Sequence, residues 1–526
     1  MGAFTIGKGN PIRLTNTITG DDRDPVWSPD GTKIAFTSNR DGNWELYVLD
    51  MTTGQTRTLT KFLAYKGSPT WSPDSAYLAY EAYDNSNLDI YILPADGSSA
   101  PQQLTRDPAP DFAPAWFPAE LGRKIAYISL RDGNAEIYVI DLNSASELTA
   151  LRVTNTPNIE EESPVWSSDG LYLAYSARVN GLDTIFVKRT DALQAEPQII
   201  GRGKQPTWSP DSRNLLFVQQ LGTNSLLVGG QIENTGVALQ AISTQGVIGR
   251  SSWARAELPP ALIASGGVPA PNAPPACSVD NSDPERSEPP LFSLKSINVI
   301  APAPLLSDRV DDSFNALRQL VIQKAGYDFL GSLADAYWDA TRIPEPGQSR
   351  ENWLYTGRAF AFDRNLVYND PSPIEIVRED IDVYTYWRIY IRVAPNVQPG
   401  QLGEPLKHFP WDFASRNSGD PDAFAQGGRL KSGVPQGYYV DLTQLAEDCG
   451  WKRLPSERQW RSNFSSLLYW QFEKHEGITW EQAMLEIMSR ADLQAFLSGP
   501  TPVPTSRPQI TSTTESRRTA TPIPPA

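Results

Sequence analysis

Histidine and cysteine are both scarce in this chain. Its 526 residues include two histidines, His408 and His475, and two cysteines, Cys277 and Cys449. A zinc site built on histidines, or a Ser-His-Asp triad, has almost nothing to draw on. The cysteines lie far apart in sequence; they either pair in an oxidising compartment or stay free, and spacing alone does not decide. An excess of basic charge is also missing, with 46 lysines and arginines against 61 aspartates and glutamates, a formal net charge of −15. No nucleic-acid partner is expected, because phosphate backbones are bound by clustered Lys and Arg. No apolar run approaches the roughly 18 residues of a membrane-spanning helix. The first residues, MGAFTIGKGNP, lack the basic and apolar regions of a signal peptide. Neither a transmembrane segment nor an export signal is expected within this chain.

What the chain has is repetition. Residues 25–50 read PVWSPDGTKIAFTSNRDGNWELYVLD. An aromatic anchor, Trp27, precedes a Pro-Asp-Gly turn, an apolar strand over 33–37, a second turn at 39–42 and an alternating strand over 45–49. The anchor returns as Trp71, Trp116, Trp166, Trp208 and Trp253, about every 45 residues, a spacing typical of propeller blades. The strand after it returns as Leu78-Ala79-Tyr80, Ile125-Ala126-Tyr127, Leu173-Ala174-Tyr175 and Leu215-Leu216-Phe217. Four strands per copy make one blade. After Trp253 only Ala261-Leu262-Ile263-Ala264 reads as a further strand. The predicted sixth blade is therefore completed by strands at 4–6 and 12–15, closing the ring and removing exposed edges.

The recurring WSPDG, IAF, SNRDG and ELYVLD segments resemble the repeats of the TolB-type six-bladed β-propeller. The resemblance covers residues 1–265 and implies a fold and an extracytoplasmic setting, without naming a ligand. In a propeller the loops entering the innermost strands crowd around the central channel. The candidate ligand-binding residues are thus those just before each anchor: Asp22, Arg23, Asp24, Lys66, Asp111, Phe112, Glu161, Glu162 and Arg250. Their mainly acidic character favours a basic partner.

Residues 266–290 are proline-rich and read as a linker. In residues 291–497, a helical pattern over 313–325, a strand over 381–393, a helix capped by Asp441 or Thr443 and a helix over 480–487 give an α+β class. The expected fold class is a multidomain chain, an all-β six-bladed propeller plus a smaller α+β domain. The order of segments YTGRAFAF at 355–362 and LYWQF at 468–472 is similar to the VanY-type D-alanyl-D-alanine carboxypeptidases, which are zinc peptidases. Matching Gly357 to the family's motif glycine puts Leu354, Ala361 and Gln471 on its three ligand positions, with Arg342 opposite its characteristic arginine. Leucine and alanine offer zinc no donor. The alignment describes a degenerate groove of Arg342, Leu354, Gly357, Arg358, Ala361, Trp470 and Gln471, with no metal and no cofactor. A rescued site would need Asp363 and His475 as relocated ligands, with Glu473 or Glu476 as base; these carboxylates beside Lys474 otherwise form a solvated face.

Residues 498–526 are rich in Pro, Thr and Ser and should be disordered. The expected function is a non-enzymatic extracytoplasmic binding or scaffold protein, periplasmic, cell-surface or secreted, whose partner is a protein or a cell-wall component. The alternative is a zinc peptidase acting on peptidoglycan stem peptides, which metal analysis would reveal. A serine peptidase with a propeller gate is the third reading, and the chain has no G-x-S-x-G elbow to carry it.

Overall fold

The structure is a computed structural model that describes residues 1–498, apart from 6–7, 18–19, 63, 119–122, 145, 157–158, 222–223, 234–238, 246–247, 269–276, 278–283, 346–348 and 398–399. The tail expected to be disordered, 498–526, lies outside the described residues except for its first position. The described chain is mostly β, in antiparallel sheets.

Five four-stranded meanders follow one another. The first runs Asp22–Trp27, Lys33–Ser38, Glu45–Asp50 and Thr56–Thr58. The innermost strands of the next four are Lys66–Trp71, Asp111–Trp116, Glu161–Trp166 and Lys204–Trp208. Each sheet packs on the next through its apolar face. The anchor tryptophans staple these blades together: the indole N–H of Trp71 donates to the Val26 carbonyl at 3.0 Å, Trp166 to Ala115 at 3.0 Å and Trp208 to Val165 at 3.1 Å. Trp166→Phe keeps most of the buried surface but removes this hydrogen bond between blades. It should cost about 1–2 kcal/mol in denaturant unfolding.

The turn after Trp27, Trp71, Trp166 and Trp208 is built by a serine and an aspartate. Ser28 donates to Asp30 at 2.6 Å and Ser167 to Asp169 at 2.6 Å. The second turn adds a cross-link that the repeats carry in their Arg-Asp pair. In the first blade Arg40 pairs with Asp22 at 2.6 Å, and the Tyr47 hydroxyl donates to Asp41 at 2.6 Å. In the third, Arg131 pairs with Asp111 at 3.2 Å.

The sixth copy departs from expectation. The segment around Trp253 forms no strand among the described residues, and Ala261, Leu262, Ile263 and Ala264 lie in the helix Pro260–Ala264. Proline at the first helical position is pre-organised for a helix, and so short an apolar run does not distinguish strand from helix. The N-terminal strands Gly2–Thr5 and Lys8–Arg13 pair with each other instead of completing a blade. They touch the end of the repeat region through a parallel bridge between Arg13 and Gly267. The backbone N–H of Trp27 donates to Ser252 Oγ at 3.0 Å, echoing the link from Trp116 N–H to Thr70 at 3.2 Å.

The C-terminal part has a core of its own. Helix Asp311–Ala325 buries Phe314, Leu317, Val321 and Ala325 along one face and stops at Gly326, whose φ of 80° suits glycine. The strand expected over 381–393 is the second arm of a hairpin, Ile374–Ile381 and Tyr384–Arg392, that turns at Asp382 with φ 54°. Asp441 caps helix Leu442–Asp448, accepting from Gln444 N–H at 3.0 Å. Cys277 and Cys449, left open by the sequence, form a disulfide with their Cα atoms 5.2 Å apart.

Candidate functional site

Each innermost strand carries a bulge two residues before its anchor region, with register shifts between Arg23 and Val26, Gly67 and Thr70, Phe112 and Ala115, Glu162 and Val165, and Lys204 and Thr207. At every bulge a non-glycine residue followed by proline takes a left-handed conformation: Asp24, Ser68, Ala113, Ser163 and Gln205, with φ between 49° and 55°. Such a residue stores about 1 kcal/mol or more of strain, and bulges re-aim side chains. All five line one cavity of about 1440 Å³ at the centre of the blades.

Of the nine residues singled out in the sequence, Asp22, Arg23, Asp24, Phe112, Glu161, Glu162 and Arg250 line this cavity; Lys66 and Asp111 do not. Lys66 is buried, donating to the carbonyls of Phe62 at 2.9 Å and Ala64 at 2.8 Å and pairing with Glu45 at 3.2 Å. Asp111 is buried against Arg131, and burial pushes its carboxyl well up. Both build the blade, because an ionisable group at the strand start needs a partner once covered. Asp22 lines the cavity but is already held by Arg40 and by the Thr17 hydroxyl at 2.6 Å. Burial opposes its ionisation, yet these hydrogen bonds hold its carboxyl below the usual range.

Glu161 is the unusual carboxyl. Burial pushes it up to about 8, with the nearby Glu136 adding to the effect, while the Thr156 and Thr154 hydroxyls pull the other way. Its pKa lies above the unfolded value, so the native state keeps a proton that the unfolded chain loses, and wild-type stability falls as pH rises from about 4.5 to 8. Glu161→Gln should remove that slope and raise stability at pH 7 by on the order of 2–3 kcal/mol. Urea unfolding at pH 5 and pH 7 checks this.

The C-terminal part roofs the cavity, through residues the sequence reading did not select. Glu404 pairs with Arg23, whose guanidinium lies 3.7 Å above the Trp44 ring. Lys407 pairs with Glu81, a carboxylate with 0% exposure that also accepts from the Tyr65 hydroxyl at 2.8 Å and the Ala113 N–H at 2.8 Å. His408 Nδ1 lies 2.9 Å from Glu160 Oε2. Burial alone would push this imidazole down; Glu160 outweighs it and holds it above its ordinary value. Arg178 meets Glu379 at 3.2 Å, the Gly400 carbonyl accepts from Trp44 N–H at 3.1 Å, and Tyr438 packs edge-on to Tyr83. Glu81 carried one legible signal: a charge inside the apolar strand Tyr77–Asp84 must have a partner.

The positions aligned with a zinc peptidase motif lie mostly in the packed interior. Ala361 and Gln471 are direct register partners. Asn352 Oδ1 accepts both the Leu354 N–H at 2.9 Å and the Gln471 Nε2 at 3.1 Å. Leu354, Ala361, Trp470 and Gln471 are all buried, so the expected groove is not open at these positions. Gly357 has φ 67°, and an added Cβ would come within 2.8 Å of Leu294. Arg358 is buried in a two-pronged pair with Glu486 at 2.7 and 3.0 Å. Arg342 pairs with Asp335 at 3.2 Å on the surface. Asp363 caps the turn Arg364–Tyr368, and His475 pairs with Glu473 at 2.7 Å while stacking on Trp353. Among the described residues no group of three His, Cys, Asp or Glu is placed to hold a metal ion.

Comparison with known proteins bears on the first half. The family described as the TolB beta propeller domain matches residues 23–257. The chain is 30% identical over 235 residues to the Tol-Pal system protein TolB of Bordetella pertussis, covering 36% of this chain and 52% of that one. It is 49% identical over 49 residues to a TolB homolog of Chlorobium luteolum, 9% of this chain and 11% of the other. The chain thus spans at most about half the length of these curated relatives. Among solved structures, TolB from Acinetobacter baumannii is 22% identical with a TM-score of 0.39, covering 44% of this chain and 57% of that one. A putative TolB from Agrobacterium tumefaciens is 22% identical with a TM-score of 0.38, covering 44% and 86%. The N-terminal part of this chain is a TolB-type β-propeller domain.

Proposed function

We propose that the chain is a non-enzymatic binding or scaffold protein of the cell envelope, acting outside the cytoplasm, whose propeller takes a protein or cell-wall ligand at its central cavity. The observation that carries this reading is the convergence of Asp24, Glu161, Glu162, Phe112 and Arg250 on one cavity, each delivered by the residues just before an anchor. The resemblance to Tol-Pal system proteins supports a role in protein assembly at the envelope. The Cys277–Cys449 disulfide supports an oxidising compartment. No helix among the described residues is long and apolar enough to cross a membrane. In this reading the residues 291–497 are a peptidase-like domain without a metal that serves as the roof of the binding cavity.

The zinc peptidase alternative has no observation in its favour, since Asp363 and His475 are each engaged elsewhere. The test is a parallel titration of the purified chain with envelope protein extract and with soluble peptidoglycan fragments, for wild type and for Glu162→Lys. Binding of either ligand that is lost on charge reversal is expected. Binding indifferent to Glu162→Lys, or none in either arm, overturns the reading.

A further inference from the structure

The ring of blades is interrupted where a sixth would stand. The first and fifth blades have no substantial contact with each other, and residues 249–258 cross the space between them. This segment, GRSSWARAEL, occupies the place of a sixth innermost strand but has no neighbouring strand among the described residues. Its backbone N–H and C=O groups make no backbone hydrogen bond to other described residues. The space is continuous with the central cavity; on one side Ile248 and Trp253 pack over Leu216 and Leu227, and on the other Leu258 packs with Leu14 and Ile34. Along that cavity acidic residues outnumber cations even without the protonated Glu161: Asp21, Asp22, Asp24, Glu160, Glu162, Glu257, Glu404 and Asp448 stand against Arg23, Arg250, Arg255 and Lys407, with His408 beside Glu160. The buried oxygens of Gln205 and Ser251, on the same lining, have no hydrogen-bond partner.

We propose that this interrupted arc is a strand-acceptor site, in which an extended segment of a partner protein pairs with the backbone of residues 249–258. A backbone segment whose N–H and C=O groups lack backbone partners is a template for β-augmentation, where backbone bonds give affinity and alternate side chains give selection. One row of the incoming side chains is apolar, against the half-buried Ile248 and Trp253. The other carries lysine or arginine toward the carboxylates of Asp24 and Glu162, which charge complementarity requires. This rests on the cavity being a binding site, and adds the partner's form and charge.

The test uses the full chain and labelled peptides alternating valine with lysine or valine with glutamate, read by fluorescence anisotropy and amide hydrogen exchange. The lysine peptide should bind at least about tenfold more tightly than the glutamate peptide and slow exchange at residues 249–258 by about tenfold or more. The same lysine peptide methylated on alternate amide nitrogens should not bind. Absence of binding by the lysine peptide, or binding without protection at 249–258, overturns the proposal; so does self-association that protects 249–258 with no peptide present, which would assign the arc to a second copy. A partner captured through Glu162 without protection at 249–258 would overturn the strand pairing alone and leave the binding function standing.

Discussion

Replacing Lys407 with alanine is expected to cost about 3–5 kcal/mol at neutral pH, because it strands a buried carboxylate. Glu81 has no exposure, and with Lys407 gone only the Tyr65 hydroxyl and the Ala113 N–H face its charge. In the intact chain burial pushes the Glu81 carboxyl up, but Lys407 and these hydrogen bonds prevail and hold it below its ordinary value. A depressed carboxyl contributes stability above its unfolded pKa and loses it as pH falls through the folded one. The gap between Lys407→Ala and wild type should therefore be largest near pH 7 and shrink as pH approaches 4. Adding Glu81→Gln should recover much of the loss, the mark of a pair rather than of lost packing. A flat pH dependence would mean that Lys407 acts through its contacts with Tyr65 and Phe112.

Removing the disulfide should have an effect of the same size. The crosslink closes a loop of 172 residues, and the chain-entropy account gives about 5 kcal/mol for a loop of that length, with measured values commonly about 2–5. The double variant Cys277→Ser, Cys449→Ser should lose this much in urea unfolding, and reduction of the wild type should reproduce it. Cys449 lies at the end of helix Leu442–Asp448, beside Trp451 in the C-terminal core. The unfolding of that core, followed through its tryptophans, should shift more than that of the propeller.

The five complete blades were legible because the same physical need recurs in them. A tryptophan reaching back to the preceding blade, a serine-aspartate turn and an apolar strand each leave a fixed mark at a fixed spacing. The pre-anchor loops were legible for the same reason, although Lys66 and Asp111 were misjudged: a charged residue reads alike whether it faces a channel or a buried partner. The sixth blade misled because Ala261, Leu262, Ile263 and Ala264 are too few to reveal a period, and the prolines before them favour a helix. The roof was not legible. Glu404 sits in the two-residue strand Glu404–Pro405 and Lys407 and His408 just beyond it, too short a stretch to show a pattern, and their partners Arg23, Glu81 and Glu160 are more than 240 residues away in sequence. In residues 291–497 the motif alignment could not show that Leu354, Ala361 and Gln471 are buried in the packed interior, because apolar residues at motif positions read alike whether they line a groove or fill a core.

The central claim is that partner recognition takes place inside the cavity of the propeller and not on its outer rim. Site-specific photocrosslinking in envelope extract tests it directly, with p-benzoylphenylalanine placed either at Glu162, on the cavity lining, or at Leu148, on the exposed surface. The account predicts a discrete adduct from position 162, competed by the unlabelled chain, and none from position 148. An adduct from position 148 alone would contradict it.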